Sequence, residues 1–317
     1  MKKTLSILLA LVLALGVTTA FAADLTFTTG GTSGTYYAFG GTIAQYVSEN
    51  SNVKITAVAG NGSADNIDRL DLGTEQLGFV QSDVAYYAYN GIKFETYLGN
   101  PITSFTALAA LYNETVQLVT VNPDIKSVAD LKGKNVSIGS AGSGVYFNAM
   151  DFLEAYGMTE ADITPQYLSF ADSAEALKDG KIDAAFVVAG APTTAVVDLG
   201  TAKDIFLVSV DDEHLKKLME INPAYADVKI PAGTYEKITT DTQTVAVRAI
   251  IIANGDVTED QAYEIVKTIF ENKDAIAAIH AKGLELDLDY ASKSGIPYHA
   301  GAAKYFAEKG ITVEVVK

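Results

Sequence analysis

Gly30-Gly31-Thr32-Ser33-Gly34-Thr35-Tyr36-Tyr37 holds the residue types best suited to gripping a ligand. The stretch follows a strand-like run, residues 24–29, and opens a helix-like one. Glycines and small hydroxyl residues there leave several backbone N–H groups without partners and pointing one way. The helix start adds a partial positive charge. Together they suit an anionic group such as a carboxylate. Gly139-Ser140-Ala141-Gly142-Ser143-Gly144 repeats this chemistry about a hundred residues later. Two such loops on two similar halves predict a ligand held between two domains.

Other strand ends carry the same kind of residue. Gly60-Asn61-Gly62-Ser63 and Asn66 follow a second strand, and Gln81-Ser82-Asp83 a third. Ser143, Gly144 and Val145 follow the first strand of the second unit, and Gly190-Ala191-Pro192 its third. Ligands of parallel sheets sit at the carboxyl ends of strands. These groups are neutral donors and glycines with one carboxylate, which suits recognition rather than bond-breaking. Asp83 either accepts a ligand ammonium or hydroxyl, or orients Ser82 and Tyr36.

Catalytic signatures are missing from the sequence. Ser143 has Ala141 rather than glycine two residues before it, so there is no Gly-x-Ser-x-Gly elbow, and no Gly-Lys-Ser/Thr occurs. His214, His280 and His299 stand far apart, with no His-Glu-x-x-His pair and no cysteine. A metal site has no support in these spacings, so no cofactor and no enzymatic activity are expected.

The elements that position these loops alternate. Strand-like runs 53–59 and 77–80 flank a helical stretch, 64–72, in the grammar of a parallel sheet. The pattern restarts at residues 135–139. A helix follows, with Ala149, Phe152, Leu153 and Tyr156 on one face and Gly157 at its end. Runs 166–170, 182–189 and 205–210 read as further strands. Thr258 and Gln261 have capping-box spacing before a helix from Glu259. Two long apolar runs, 116–121 and 245–253, stand apart. Paired antiparallel, they would make two crossings between domains. The predicted class is α/β, with two α/β domains joined by two hinge strands. The expected boundaries are a signal peptide at 1–22, a discontinuous first domain at 23–117 plus 246–317, and a second domain at 118–245.

Only two arginines occur, Arg69 and Arg248. Arg69 has Asp65, Asp68 and Asp71 nearby and reads as a surface ion pair. Arg248 interrupts an apolar run and calls for a partner, either Glu114 beside the other crossing strand or the ligand.

Lys2 and Lys3 precede an apolar run, residues 5–17, that ends at Ala20-Phe21-Ala22. Basic start, short apolar core and A-x-A site predict an exported chain cleaved near Ala22, hence a periplasmic protein. Removing residues 1–22 takes away two lysines and no acid, so the net charge goes from −16 to −18. Such acidity argues against nucleic-acid partners.

Eight strings, in this order, resemble the TAXI-type solute-binding proteins of tripartite ATP-independent periplasmic (TRAP) transporters. They are Gly31-Thr32-Ser33-Gly34-Thr35-Tyr36-Tyr37, Gly62-Ser63-Ala64-Asp65-Asn66, Gln81-Ser82-Asp83-Val84 and Asp130-Leu131-Lys132-Gly133-Lys134. Gly142-Ser143-Gly144, Asp183-Ala184-Ala185-Phe186-Val187-Val188-Ala189-Gly190, Pro231-Ala232-Gly233-Thr234-Tyr235 and Pro297-Tyr298-His299-Ala300-Gly301-Ala302 complete them. The resemblance implies a type II periplasmic-binding fold and ion-driven uptake through a TRAP membrane component that the protein docks with as a monomer. It also implies a small organic anion or amino acid as cargo, glutamate- or 2-oxoglutarate-like. Val145 departs from the threonine common in the family, and Ala191 is smaller than the usual residue before Pro192. The other reading is a secreted ligand-sensing or surface interaction protein without a transport role.

Overall fold

The structure is a computed structural model and describes residues 24–316. The leader read at residues 1–22 lies outside the described residues.

In chain order the first elements are β1 Leu25–Thr28, α1 Thr35–Asn50, β2 Ile55–Val58, α2 Ser63–Asp71, β3 Leu77–Gln81, α3 Ser82–Asn90 and β4 Phe105–Thr120. Next come β5 Asn135–Ser137, α4 Val145–Ala155, β6 Thr164–Gln166, α5 Phe170–Lys178, β7 Ala184–Ala189, α6 Thr194–Ala202, β8 Phe206–Leu207 and α7 Asp212–Ile221. The chain closes with β9 Ala226–Ile230, β10 Thr242–Asn254, α8 Glu259–Glu271, α9 Lys273–Ile279, α10 Leu288–Ala291 and α11 Ala300–Glu308. Among the described residues no helix is long and apolar enough to cross a membrane.

The strands form one sheet in the order β2-β1-β3-β10-β4-β7-β5-β6, with β8 on β4 and β9 on β10. The flanks are parallel, β2-β1-β3 on one side and β7-β5-β6 on the other. The middle is antiparallel: β10 pairs with β3 and β4, and β4 pairs with β7. β4 is 16 residues long and β10 is 13. At about 3.3 Å per residue these strands reach roughly 40–50 Å. They run through more than one core. Tyr112 and Ile250 are buried with Phe39 and Phe79 in one cluster, whereas Val116 and Val247 are buried with Phe152 and Phe186 in another.

Local chemistry explains the elements around the cleft. On α1, Phe39, Ile43 and Val47 recur every fourth residue and are fully buried. Thr258 and Gln261 form the capping box of α8, as their spacing predicts. Two strand expectations fall short. The run read at 166–170 ends as β6 at Gln166, because the Ser169 side chain accepts from the Asp172 N–H and starts α5. The run read at 205–210 is ordered as a strand only over Phe206–Leu207. β4 begins eleven residues before the apolar run at 116–121. Over Ala107, Ala109 and Ala110 it is fully buried and paired with β10.

Candidate functional site

Several helices begin at one cleft, three of them after a glycine. Gly34 precedes α1, Gly62 precedes α2 and Gly144 precedes α4, and none of the three starts has a side-chain cap. Gly34, Thr35, Gly62, Ser63, Gly144 and Val145 all line the same cavity of about 90 Å³. At about one water per 10–15 Å³ of such space, it takes a solute of small-metabolite size. First-turn N–H groups of an α-helix have no partner within the helix and carry its positive end. Three such starts at one cavity offer backbone donors to an anion without a lysine or arginine. No lysine, arginine or histidine is among the lining residues.

The walls come from both flanks of the sheet. Gln81 closes β3, Glu114 stands on β4, and Val188 and Ala189 end β7. Ser169 and Phe170 come from the start of α5, and Ser140 from the second glycine loop. Several contacts tie the two flanks across the cleft. Asp65 N–H donates to Gly142 O at 2.9 Å, Thr35 Oγ1 to Gly190 O at 3.0 Å, and Ala195 N–H to Ser33 O at 3.3 Å. A Cβ added at Gly144 would lie 1.4 Å from Gln81 Oε1 and 2.7 Å from Ser63 Oγ, so any larger residue there must push these two side chains aside.

Three polar atoms in this wall are buried and unpartnered: Tyr36 OH, Ser143 Oγ and Glu114 Oε1. Their residues are at most 8% exposed. Buried polar groups are nearly always hydrogen-bonded, so three orphans around one cavity mark places a ligand would satisfy. Burial pushes the Glu114 carboxyl up to about 8, against the pull of Tyr112, Lys282 and Tyr36. Oε1 has no partner in full hydrogen-bonding geometry, yet both tyrosine hydroxyls face the carboxyl and pull it down. Tyr36 is fixed by stacking on Phe79, ring centroids 4.8 Å apart.

The expected ligand residues divide into two groups. The structure brings Gly34, Thr35, Tyr36, Gly62, Ser63, Gln81, Ser143, Gly144 and Val145 together in the cleft. Thr32, Ser33, Asn66, Ser82, Asp83 and Gly190 are not in its lining. Thr32 is exposed and Ser33 half-buried. Asn66 is fully buried and points under the strand ends. Its Nδ2 donates to Thr29 O and Phe79 O, each at 2.7 Å, and its Oδ1 accepts from Thr28 Oγ1 at 2.9 Å. Ser82 Oγ accepts from Arg248 N–H at 3.1 Å. Gly190 O accepts from Thr35 and Thr193 hydroxyls.

Asp83 sits in a buried network behind the cleft. It accepts from Asn148 Nδ2 at 2.9 Å and Asn222 Nδ2 at 3.1 Å. Asn148 also accepts from Gln81 Nε2 at 2.5 Å, which links the network to the cleft wall. Asp151 receives Tyr225 OH, Asn222 Nδ2 and Lys93 Nζ. Burial, then the charge of Asp151, pushes the Asp83 carboxyl up to about 6.

Glu114 is not the partner of Arg248. In the β4–β10 ladder Arg248 lies opposite Asn113 and Glu114 opposite Val247. Adjacent residues of a strand face opposite sides, so the two side chains leave the sheet on opposite faces. Arg248 instead lies over the Tyr290 ring, 5.0 Å from its centroid, and does not line the cleft. Arg69 pairs with Asp65 and Glu75. Sequence reasoning missed Glu114, Ser169 and Phe170 as cleft residues. A lone carboxylate inside the apolar stretch of β4 was the available signal for Glu114.

Asp83 and Glu114 bind protons more tightly folded than unfolded. The stability they contribute is complete below about pH 4 and is lost as pH rises through about 6 and then about 8. The melting temperature is therefore expected to fall between pH 5 and pH 9, and Glu114→Gln to remove the upper part of the fall. A thermal scan of both proteins across this range checks it. A wild-type melting temperature that rises through pH 6–9 would contradict the burial of these acids.

Solved structures share this architecture. The alkanesulfonate-binding protein SsuA of Xanthomonas axonopodis pv. citri, bound to MOPS, is 17% identical over 90% of this chain and 83% of its own, with a TM-score of 0.51. A protein of Bordetella bronchiseptica RB50 is 18% identical over 90% of this chain and 89% of its own, TM-score 0.55. A putative L-cystine ABC transporter protein of Listeria monocytogenes is 16% identical over 84% of this chain and 98% of its own, TM-score 0.51. The fold is that of type II periplasmic-binding proteins. The sequence profile of the NMT1-like family matches residues 27–310, nearly the whole described chain, and the chain belongs to that family.

Proposed function

We propose that this chain is the solute-binding receptor of an uptake system, capturing a small carboxylate or amino acid in the cleft. The observation that carries the reading is the convergence of three uncapped helix starts on three orphaned buried polar atoms, with no cationic side chain in the lining. Such a site binds a preformed solute by hydrogen bonds and releases it unchanged, with no nucleophile–base pair to transform it.

In this reading residues 23–117 plus 246–317 form one lobe and 118–245 the other. β4 and β10 serve as the hinge. The protein works outside the cytoplasm after its leader is removed, as a monomer that docks transiently with a membrane component. The loop strings quoted above favour a TRAP-type partner of the TAXI kind, driven by an ion gradient. Structural relatives described as ABC-type components share the fold without fixing the partner.

A thermal-shift screen of organic acids and amino acids tests the binding. A true ligand at a hundredfold its dissociation constant adds about 2.7 kcal/mol of stability. Its amide or ester should bind much more weakly in calorimetry. Equal affinity for charged and neutral forms would remove the anion site. The transporter class is read from uptake in cells: dissipating the ion gradient should stop it while ATP remains.

A further inference from the structure

We propose that the cavity lined by Arg248 is a second binding site, for a small carboxylate with an apolar body. It lies apart from the cleft, and its test does not depend on the receptor reading.

The cavity holds about 590 Å³, against about 90 Å³ for the cleft, and the two linings share no residue. Its walls come from α3 and the turn after it, from the chain after α7, from β10 and from residues 293–295. Such a volume is that of a small-molecule site. Arg248 is half-buried, and its Nε is buried without a hydrogen-bond partner. Among the described residues the arginine ion pairs belong to Arg69, and none includes Arg248. The Tyr290 ring covers the guanidinium at 5.0 Å, but a ring answers a charge less fully than a carboxylate does. Ser82 adds a donor beside it. Its Oγ accepts from the Arg248 N–H at 3.1 Å, and its own proton has no partner among the described residues.

The other charges at this cavity have partners. Lys93 pairs with Asp151, and Lys293 with Asp289 at 2.6 Å. Asp83 is the one acid in the lining, and its oxygens accept from Asn148, Asn222 and the Val84 N–H. The wall therefore carries one net positive charge when Asp83 holds a proton and none when it does not. Tyr86 and Ile92 add exposed apolar surface, and Pro223 and Ala224 line the wall with them. A carboxylate on Arg248 and Ser82 leaves its apolar body against these side chains.

Calorimetry of the full mature chain in low-salt buffer tests the site. The probes are benzoate, benzamide as its uncharged counterpart, and inorganic phosphate as an anion without an apolar body. Benzoate is expected to bind about tenfold or more tighter than either. It should bind about threefold tighter at pH 5 than at pH 7.5, because Asp83 takes up its proton near about 6. Asp83 is faced by the Asp151–Lys93 pair, by Arg248, and by Tyr36, Tyr87 and Tyr225, which burial keeps neutral over this range. Arg248→Gln should weaken benzoate about tenfold or more, and Tyr86→Ser, at an exposed position, about threefold. Ser143→Ala alters the cleft alone and should leave benzoate within about twofold. If Arg248→Gln does not fold, Tyr86→Ser set against Ser143→Ala decides. Benzamide or phosphate as tight as benzoate, no saturable heat from benzoate, or an affinity that does not rise toward pH 5 would overturn the assignment. So would benzoate binding lost in Ser143→Ala, or kept in Arg248→Gln or Tyr86→Ser.

Discussion

Asn66→Ala is expected to cost about 3–5 kcal/mol of folding stability while leaving the affinity of any ligand that still binds nearly unchanged. Its amide holds the carboxyl ends of β1 and β3 together through Thr29 O, Phe79 O and the Thr28 hydroxyl. Alanine leaves two carbonyls and a hydroxyl in a fully buried space without a partner. Each such group costs about 1–3 kcal/mol when water cannot reach it. A urea titration reads the loss. Ser143→Ala should behave in the opposite way. Its hydroxyl bonds nothing in the protein, so stability should hold while affinity falls. An Asn66→Ala protein as stable as wild type would mean that the strand ends are held by something else.

Gly144→Ala is expected to weaken ligand binding about 5- to 150-fold, the equivalent of 1–3 kcal/mol of overpacking. The backbone there is right-handed helical, φ −70° and ψ −18°, so alanine brings no strain of its own. The cost is the collision with Gln81, whose side chain is held by Asn148 on the opposite flank. Pushing Gln81 aside breaks that bond and separates Gly62 from Ser143. Each flank should keep its own core, since the collision lies between them. Calorimetry with the best ligand of the screen checks it. An affinity within about twofold of wild type would show that the flanks need not meet this closely.

The alternation of strands and helices was legible because hydrophobic period and caps agree with the final fold. Thr258 with Gln261, and the glycines before α1, α2 and α4, mark helix starts that the structure keeps. Strand-end logic found most of the cleft, because ligand-facing groups and chain reversals coincide there. It overreached at Asn66. The sequence shows a polar residue in the first turn of α2, but only the three-dimensional phase of the helix says that it faces the strand ends. Arg248 and Glu114 failed for a related reason. Which face each takes depends on a cross-strand register that bulges between Ala249 and Ile250, a detail no one-dimensional pattern carries. Ser169 and Phe170 reach the cleft from a helix of the opposite flank, so their spacing in the chain carries no sign of it.

The position of β10 bears on how the chain is made. It lies between β3 and β4, yet about 130 to 150 residues separate its partners on β4. During synthesis β3 and β4 are therefore finished long before the strand that joins them. Each waits with a row of unpaired amides and carbonyls along one side, the kind of edge that other chains add to. Pairing across so long a loop is slow, because the closure entropy is met before the ladder forms. A nascent chain stopped short of Thr242 keeps both edges bare. β10 is thus the strand that turns two sticky fragments into a single sheet, with α8 to α11 still to follow.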